Sequence, residues 1–162
     1  MKTKNLVAII ETPAGSSNKY AFNEKTGRYF LKKILPSGMV FPFHFGFFPG
    51  TKGGDGDPLD VLILLEGKAW PGVELEIRII GGFSALQSVK NKTVRNDRLI
   101  AVAGESALYA QVNSLEDLSE ELLTQLKGFF VNYNELEGKD FSIKEQLSID
   151  KAMKIYKKSR SV

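Results

Sequence analysis

The stretch Lys52-Gly53-Gly54-Asp55-Gly56-Asp57-Pro58-Leu59-Asp60 sets three carboxylates close together and runs directly into Val61-Leu62-Ile63-Leu64-Leu65. An unbroken apolar, β-branched run of that length reads as a buried strand. Carboxylates at the mouth of such a strand repel one another and lose hydration, at a cost on the order of several kcal/mol per uncompensated charge. A hard divalent cation is the usual remedy. Mg²⁺ in particular takes a few carboxylates and keeps waters for a substrate phosphate. The plainer reading of a lone Asp-Gly-Asp is a solvated acidic turn, because Asp-Gly is a common turn dipeptide. The third aspartate weighs against that reading. An EF-hand is excluded, since its loop needs glycine at the sixth position, where this loop has Asp60.

The rest of the chain reads mainly as strands. Leu6 to Ile10 is a short apolar strand stopped at Pro13, where the missing N–H ends pairing. Lys19–Phe22 and Arg28–Leu35 flank Asn23-Glu24-Lys25-Thr26-Gly27 as a hairpin, with Gly27 supplying positive φ. Phe41, Phe43, Phe45 and Phe47 recur every second residue, so an extended chain sets all four rings on one face. Core packing, a wall of the acidic pocket and a base-stacking platform remain open for them. His44, the only histidine, lies among these rings and reads as a hydrogen-bonded structural residue rather than a ligand. Val73–Ile80 and Leu99–Ala103 are further strands, with Gly81-Gly82 bending the first. The stretch from Phe83 to Asp97 becomes polar and loop-like at its end. Strands at this spacing suggest a closed or partly open antiparallel barrel.

Only the C-terminal third has a helical pattern. Ser114 and Asp117 resemble a capping box, and Leu122, Leu126, Phe129, Phe130, Tyr133 and Leu136 form one apolar stripe before Gly138 as C-cap. A shorter helix, Ile149 to Lys158, follows Ser148, and its lysine-rich end suits the helix dipole. The expected fold is α+β and mainly β: an OB-like antiparallel barrel with two C-terminal helices packed on it, residues 1–162 forming one domain.

Composition narrows the function classes. With 162 residues and no cysteine, the chain offers a single substantial core and neither disulfides, zinc–thiolate sites nor thiol catalysis. No apolar run has the length of a membrane span. Met1-Lys2-Thr3-Lys4-Asn5 has no signal-peptide character, so a cytoplasmic location is expected. A net charge of +3 suits an anionic substrate but is too weak to imply nucleic acid.

Asp55-Gly56-Asp57-Pro58-Leu59-Asp60-Val61 resembles the Asp-x-Asp-Pro-x-Asp-x signature of soluble family I inorganic pyrophosphatases. The likeness covers nearly the whole chain, from Glu11-Thr12-Pro13-Ala14 through Lys19-Tyr20 and Phe41–Phe47 to Phe129-Phe130-x-x-Tyr133. The resemblance implies metal-dependent hydrolysis of pyrophosphate, with Mg²⁺ or Mn²⁺ as cofactor. It implies Asp57 as general base, Asp55 and Asp60 as metal ligands and Glu11 as an outer carboxylate of the metal site. Lys19, Lys33 and Tyr133 would hold phosphate, and likeness to bacterial members implies a homohexamer.

The chain also departs from the family pattern. Ala21 stands where an acidic residue is usual, Asn134 where a phosphate-binding lysine is, and Lys33 where an arginine is, which turns a bidentate fork into a point charge. Phe41, Phe45 and Phe47 replace tyrosines. Before Leu99, Arg98 fills the family's lysine position, while Asn91 and Asn96 occupy its two aspartate positions. Asp97 is one residue out of register and is the candidate to replace them as a metal ligand. These changes keep two alternatives open: the same centre acting on another phosphoanhydride or phosphoester, and a non-catalytic binder of phosphate metabolites. A nucleic-acid-binding barrel is the weakest reading, because the three aspartates repel a phosphate backbone.

Overall fold

The computed structural model describes residues 5–160; residues 1–4, which were read above for a leader, and residues 161–162 lie outside that range. Five strands close into a ring: β1 (Leu6–Thr12), β4 (His44–Phe47), β5 (Asp60–Leu64), β8 (Arg98–Ala103) and β6 (Glu74–Val89), which returns to β1. β2 (Asn18–Asn23) and β3 (Arg28–Ile34) form a separate hairpin beside it. The fold is therefore the expected mainly-β, OB-like barrel, with one topological difference. β5 and β8 pair in parallel, Val61 opposite Leu99 and Leu64 opposite Val102, so the ring is not wholly antiparallel. That pairing sets the first residues of both strands, Asp60 and Arg98, at the same end of the barrel.

Both parallel strands are buried on both faces. Val61, Ile63, Leu99 and Ala101 join one core cluster with Ala152 and Tyr156 of α2 (Ile149–Ser159). Leu62, Leu64, Ile100 and Val102 join the other with Leu126 and Phe130 of α1 (Glu120–Leu136). A strand that is covered on both sides has no use for polar alternation, which accounts for the continuous apolar run.

Two stretches differ from the expectations. The segment after Phe83 is not a loop but continues β6 into a hairpin with β7 (Lys92–Arg95). Its two-residue turn is Lys90-Asn91, with φ of 48° and 65°; hairpins favour turns of this hand, and Asn tolerates them. β9 (Asp140–Leu147) pairs with the second half of β6 and had no counterpart in the sequence reading. The helices match better. α1 starts after Ser119, whose Oγ accepts the Leu122 N–H at 3.1 Å, five residues beyond the Ser114 expected from the capping pattern. Ser114 and Asp117 instead enclose a short 3₁₀ turn. Gly138 ends α1 at φ 74°, with Lys139 N–H donating to Asn134 C=O at 2.9 Å. On the stripe, Leu123 is buried where Leu122 was expected to be, and Leu136 lies exposed.

Candidate active site

The acidic loop links β4 to β5 across one end of the barrel and is pinned at several points. Thr51 Oγ donates to Phe48 C=O at 2.6 Å and accepts the Leu59 N–H at 2.9 Å. Lys52 N–H donates to the Ser159 carbonyl at the end of α2, at 2.9 Å. Within the loop, Gly56 adopts φ 90°, and Asp55 Oδ1 accepts the Asp57 N–H at 3.1 Å. This backbone presents Asp55, Asp57 and Asp60 to a cavity of about 750 Å³, whose walls also carry Glu11, Lys19, Lys32, Arg98, Tyr133 and Glu137.

Asp55 and Asp57 are solvent-exposed and Asp60 is half-buried. The desolvation expected for the loop aspartates therefore falls elsewhere, on Glu11. Burial raises the Glu11 pKa, while its hydrogen bond from Phe22 N–H (3.0 Å) and the nearby Lys19 and Lys32 pull it back. Arg98 is the buried cation of the site. It pairs with Asp60, and its guanidinium lies 5.7 Å from the Phe130 ring and 5.6 Å from the Phe141 ring. Burial pushes its pKa down to about 10, against the pull of Asp55 and other anionic neighbours. Its Nε is the one buried side-chain nitrogen or oxygen without a hydrogen-bond partner among the described residues.

The four carboxylates Glu11, Asp55, Asp57 and Asp60 are oxygen donors only, a set that suits a hard divalent cation and neither zinc–thiolate nor imidazole chemistry. Among the described residues, no three acidic or histidine side chains are drawn together as a ready cation cage. The donor chemistry therefore fits Mg²⁺ or a similar ion whose remaining positions are filled by water and phosphate oxygens, as Mg²⁺ usually requires.

A family profile described as inorganic pyrophosphatase matches residues 8–161. This chain belongs to the inorganic pyrophosphatase family. It is 35% identical over 133 residues to the inorganic pyrophosphatase of Leifsonia xyli, covering 82% of this chain and 79% of that one. It is also 35% identical over 138 residues to the enzyme of Geobacillus stearothermophilus, covering 85% and 81%. Among solved structures it superposes on the inorganic pyrophosphatase of Coxiella burnetii with a TM-score of 0.88 at 30% identity, covering 99% and 98% of the two chains.

Within this family frame, most of the residues singled out from the sequence meet in one cavity. Glu11, Lys19, Asp55, Asp57, Asp60 and Tyr133 all line it. Two do not. Asp97 lines a second, smaller cavity behind the acidic loop, which Asp55 and Asp60 also line, and not the main one. Its carboxylate accepts the Ala85 N–H at 3.2 Å and pairs with Arg95 Nε at 2.6 Å. Neighbouring residues of an extended chain point to opposite faces, so a one-residue slip turns the side chain away. The recruitment of Asp97 to the metals gains no support from these contacts, which already engage its carboxylate. Asn96 does line the main cavity and donates to Gln87 Oε1 at 2.7 Å, while Asn91 serves the hairpin turn. Lys33 pairs with Glu137 at 3.4 Å, and its neighbour Lys32 takes the place on the cavity wall.

Asp97→Asn is expected to leave turnover close to wild type and to cost about 1 kcal/mol of stability through the weakened hydrogen bond and ion pair. Parallel activity and urea-unfolding measurements check this, and a loss of turnover without a loss of stability contradicts the placement.

The aromatic ladder divides. Pairing begins only at His44. Phe41, Phe45 and Phe47 reach the cavity wall, while Phe43 packs against the core on the α1 side. Buried and half-buried rings packed on one another, such as Phe41–Phe45 edge-on at 5.0 Å, leave no row of exposed faces for bases. His44 is structural: its Nδ1 accepts the Ala14 N–H at 2.9 Å, which leaves Nε2–H to donate to Gly67 C=O at 3.2 Å. Glu137 and Lys139 were missed in the sequence. The available signal was the i, i+4 spacing of Glu137 from Tyr133 on α1, whose hydroxyl donates to Glu137 at 2.7 Å.

Proposed function

We propose that this chain hydrolyses inorganic pyrophosphate to two phosphates in the acidic cavity, with Mg²⁺ or a similar divalent ion as cofactor. The observation that carries this reading is the meeting of two opposed sets of groups in one cavity. Carboxylates Glu11, Asp55, Asp57 and Asp60 and phosphate-matching groups Lys19, Lys32, Arg98 and Tyr133 line the same walls. Asp55 and Asp60 would hold the cation, with Glu11 behind them. When bound, such a cation supplies charge neutralisation and a water of lowered pKa. Asp57, exposed to the cavity and with its backbone N–H held by Asp55, would take the proton of the attacking water. Lys19 and Tyr133 orient the phosphates, the Lys19 ammonium lying 4.9 Å from the Tyr133 ring centroid. Arg98 would add a fixed positive charge to offset the charge that grows on the leaving phosphate. The cavity needs no organic subsite for this reaction, and the phosphoester and binding-only alternatives gain no support from the family comparison.

The homohexamer and the cytoplasmic location implied by resemblance belong to this reading, as does treating residues 1–162 as one domain. Exposed Ile34, Trp70 and Leu108 give an assembly apolar surface to cover. Among the described residues, no helix is long and apolar enough to cross a membrane.

Substrate choice is tested by phosphate release from pyrophosphate, ATP and a phosphomonoester under equal Mg²⁺. Pyrophosphate is expected to dominate; equal or greater release from either of the others contradicts the proposal. The pH dependence follows from Lys19. Burial, with Lys32, Arg98 and Lys139 adding and Glu137 opposing, pushes its pKa down to about 8, below the roughly 10.4 of an unfolded lysine. The native state therefore bears the penalty of a charged Lys19 in full below pH about 8. That penalty is relieved as pH rises between about 8 and 10.4, so this group favours folding more at high pH. Anion binding runs the opposite way, since a neutral amine no longer attracts phosphate. A KM for pyrophosphate that climbs above pH about 8 is expected in a steady-state pH profile, and a flat KM to pH 10 contradicts it.

A further inference from the structure

The cationic end of the cavity already contains an anion of its own. Glu137 accepts the Tyr133 hydroxyl at 2.7 Å, and its two oxygens lie 3.4 Å from Lys33 Nζ and 3.4 Å from Lys139 Nζ. Its carboxylate is only 10% exposed, whereas Lys33 and Lys139 are 39% and 34% exposed, so the lysines reach inward to it. Burial would raise its pKa, but the Tyr133 hydrogen bond and the charges of Lys19, Lys139 and Lys33 outweigh that and hold it below the ordinary carboxylate value. Glu137 is also the C-cap of α1, a helix with no basic residue in its last turn. A negative charge at a helix C-terminus opposes the macrodipole, so helix stability does not account for it. A hydroxyl and two ammonium groups converging on one carboxylate is the arrangement that would receive a phosphate group.

We propose that Glu137 is a built-in competitor for phosphate: it holds Tyr133 and Lys139 in place on the cavity wall, yields them to the incoming phosphate group, and repels product phosphate as it leaves. The role rests on the reading of the cavity as a phosphate site. Its consequence is a split between affinity and turnover. Removing the charge strengthens phosphate binding and slows product release, so KM and kcat fall together. A merely structural ion pair predicts neither.

The test is direct titration of inorganic phosphate, by equilibrium dialysis at fixed Mg²⁺, into wild type, Glu137→Gln and Glu137→Asp. Glu137→Gln is expected to bind phosphate about 10-fold tighter, the scale of removing one unit charge a few ångströms from an anion in a partly solvated site. Its KM and kcat for pyrophosphate are both expected to fall. Glu137→Asp keeps the charge and is expected to bind phosphate like wild type, which also separates charge from folding. Phosphate affinity in Glu137→Gln that is equal to or weaker than wild type, at an unchanged thermal midpoint, overturns the proposal. Equal tightening in Glu137→Asp overturns it as well. Failure of wild type to release phosphate from pyrophosphate would overturn the hydrolase reading instead, and the phosphate titration would still decide the role of Glu137.

Discussion

Asp57→Asn is expected to lower pyrophosphate turnover by about 10²–10⁴-fold, the usual range for a positioned acid–base group, while leaving the fold intact. Asp57 is exposed, and its backbone rather than its carboxylate holds the loop: its N–H donates to Asp55 Oδ1 at 3.1 Å and its carbonyl accepts the Gly53 N–H at 2.7 Å. Asparagine preserves both contacts and removes only the capacity to take a proton. Metal-dependent stabilisation should survive, at roughly 2.7 kcal/mol when the ion is at 100 times its Kd. A thermal-midpoint titration with Mg²⁺ run beside the activity assay separates the two effects. An Asp57→Asn protein that turns over like wild type removes Asp57 from the chemistry.

Asp60→Asn is expected to fail differently, losing stability as well as turnover. Asp60 faces Arg98, which is buried between Phe130 and Phe141. Neutralising Asp60 leaves that guanidinium short of its anion. A loss of about 3 kcal/mol is expected, the low end for breaking a buried pair, because Asp60 retains 28% exposure. Arg98→Met is expected to be milder, since a flexible apolar side chain fills the space between the rings and the half-exposed Asp60 can turn to water. Urea-unfolding curves for the two variants give the comparison. If Asp60→Asn proves no more destabilising than Arg98→Met, the buried cation does not depend on Asp60.

The features legible in the sequence were those with a local cause. The Val61–Leu65 run marked a buried strand because β5 packs on both faces. Ser148 and Gly138 cap helices through bonds that span three to five residues, whereas α1 begins at Ser119 and not at the Ser114 expected from the capping pattern. His44 was correctly set apart from the ligands, since a lone ring among aromatics finds backbone partners. What was missed depends on distant pairing. The parallel alignment of β5 with β8 leaves no local mark, yet it is what joins Asp60 to Arg98. In β9, Phe141 and Ile143 alternate, but the register shift opposite Ser84/Ala85 breaks the period before Leu147. Asp97 was singled out by its place before Leu99 and Lys33 by resemblance, whereas their contacts are with residues distant in the chain or across a turn: Ala85 and Arg95 for Asp97, Glu137 for Lys33. The burial expected of the aspartate loop proved to belong to Glu11, a distinction that depends on how the hairpin of β2 and β3 covers that residue.

On the function proposed above, the carboxylates of the acidic cavity work with a divalent cation to hydrolyse pyrophosphate, without the two aspartates that Asn91 and Asn96 replace. That function is tested most directly by stripping the wild-type protein with chelator, adding pyrophosphate, and following phosphate release as Mg²⁺ is titrated in. The predicted result is no release without metal and a saturable rise with it. Absence of release at every Mg²⁺ and Mn²⁺ concentration, from protein that remains folded, would contradict it.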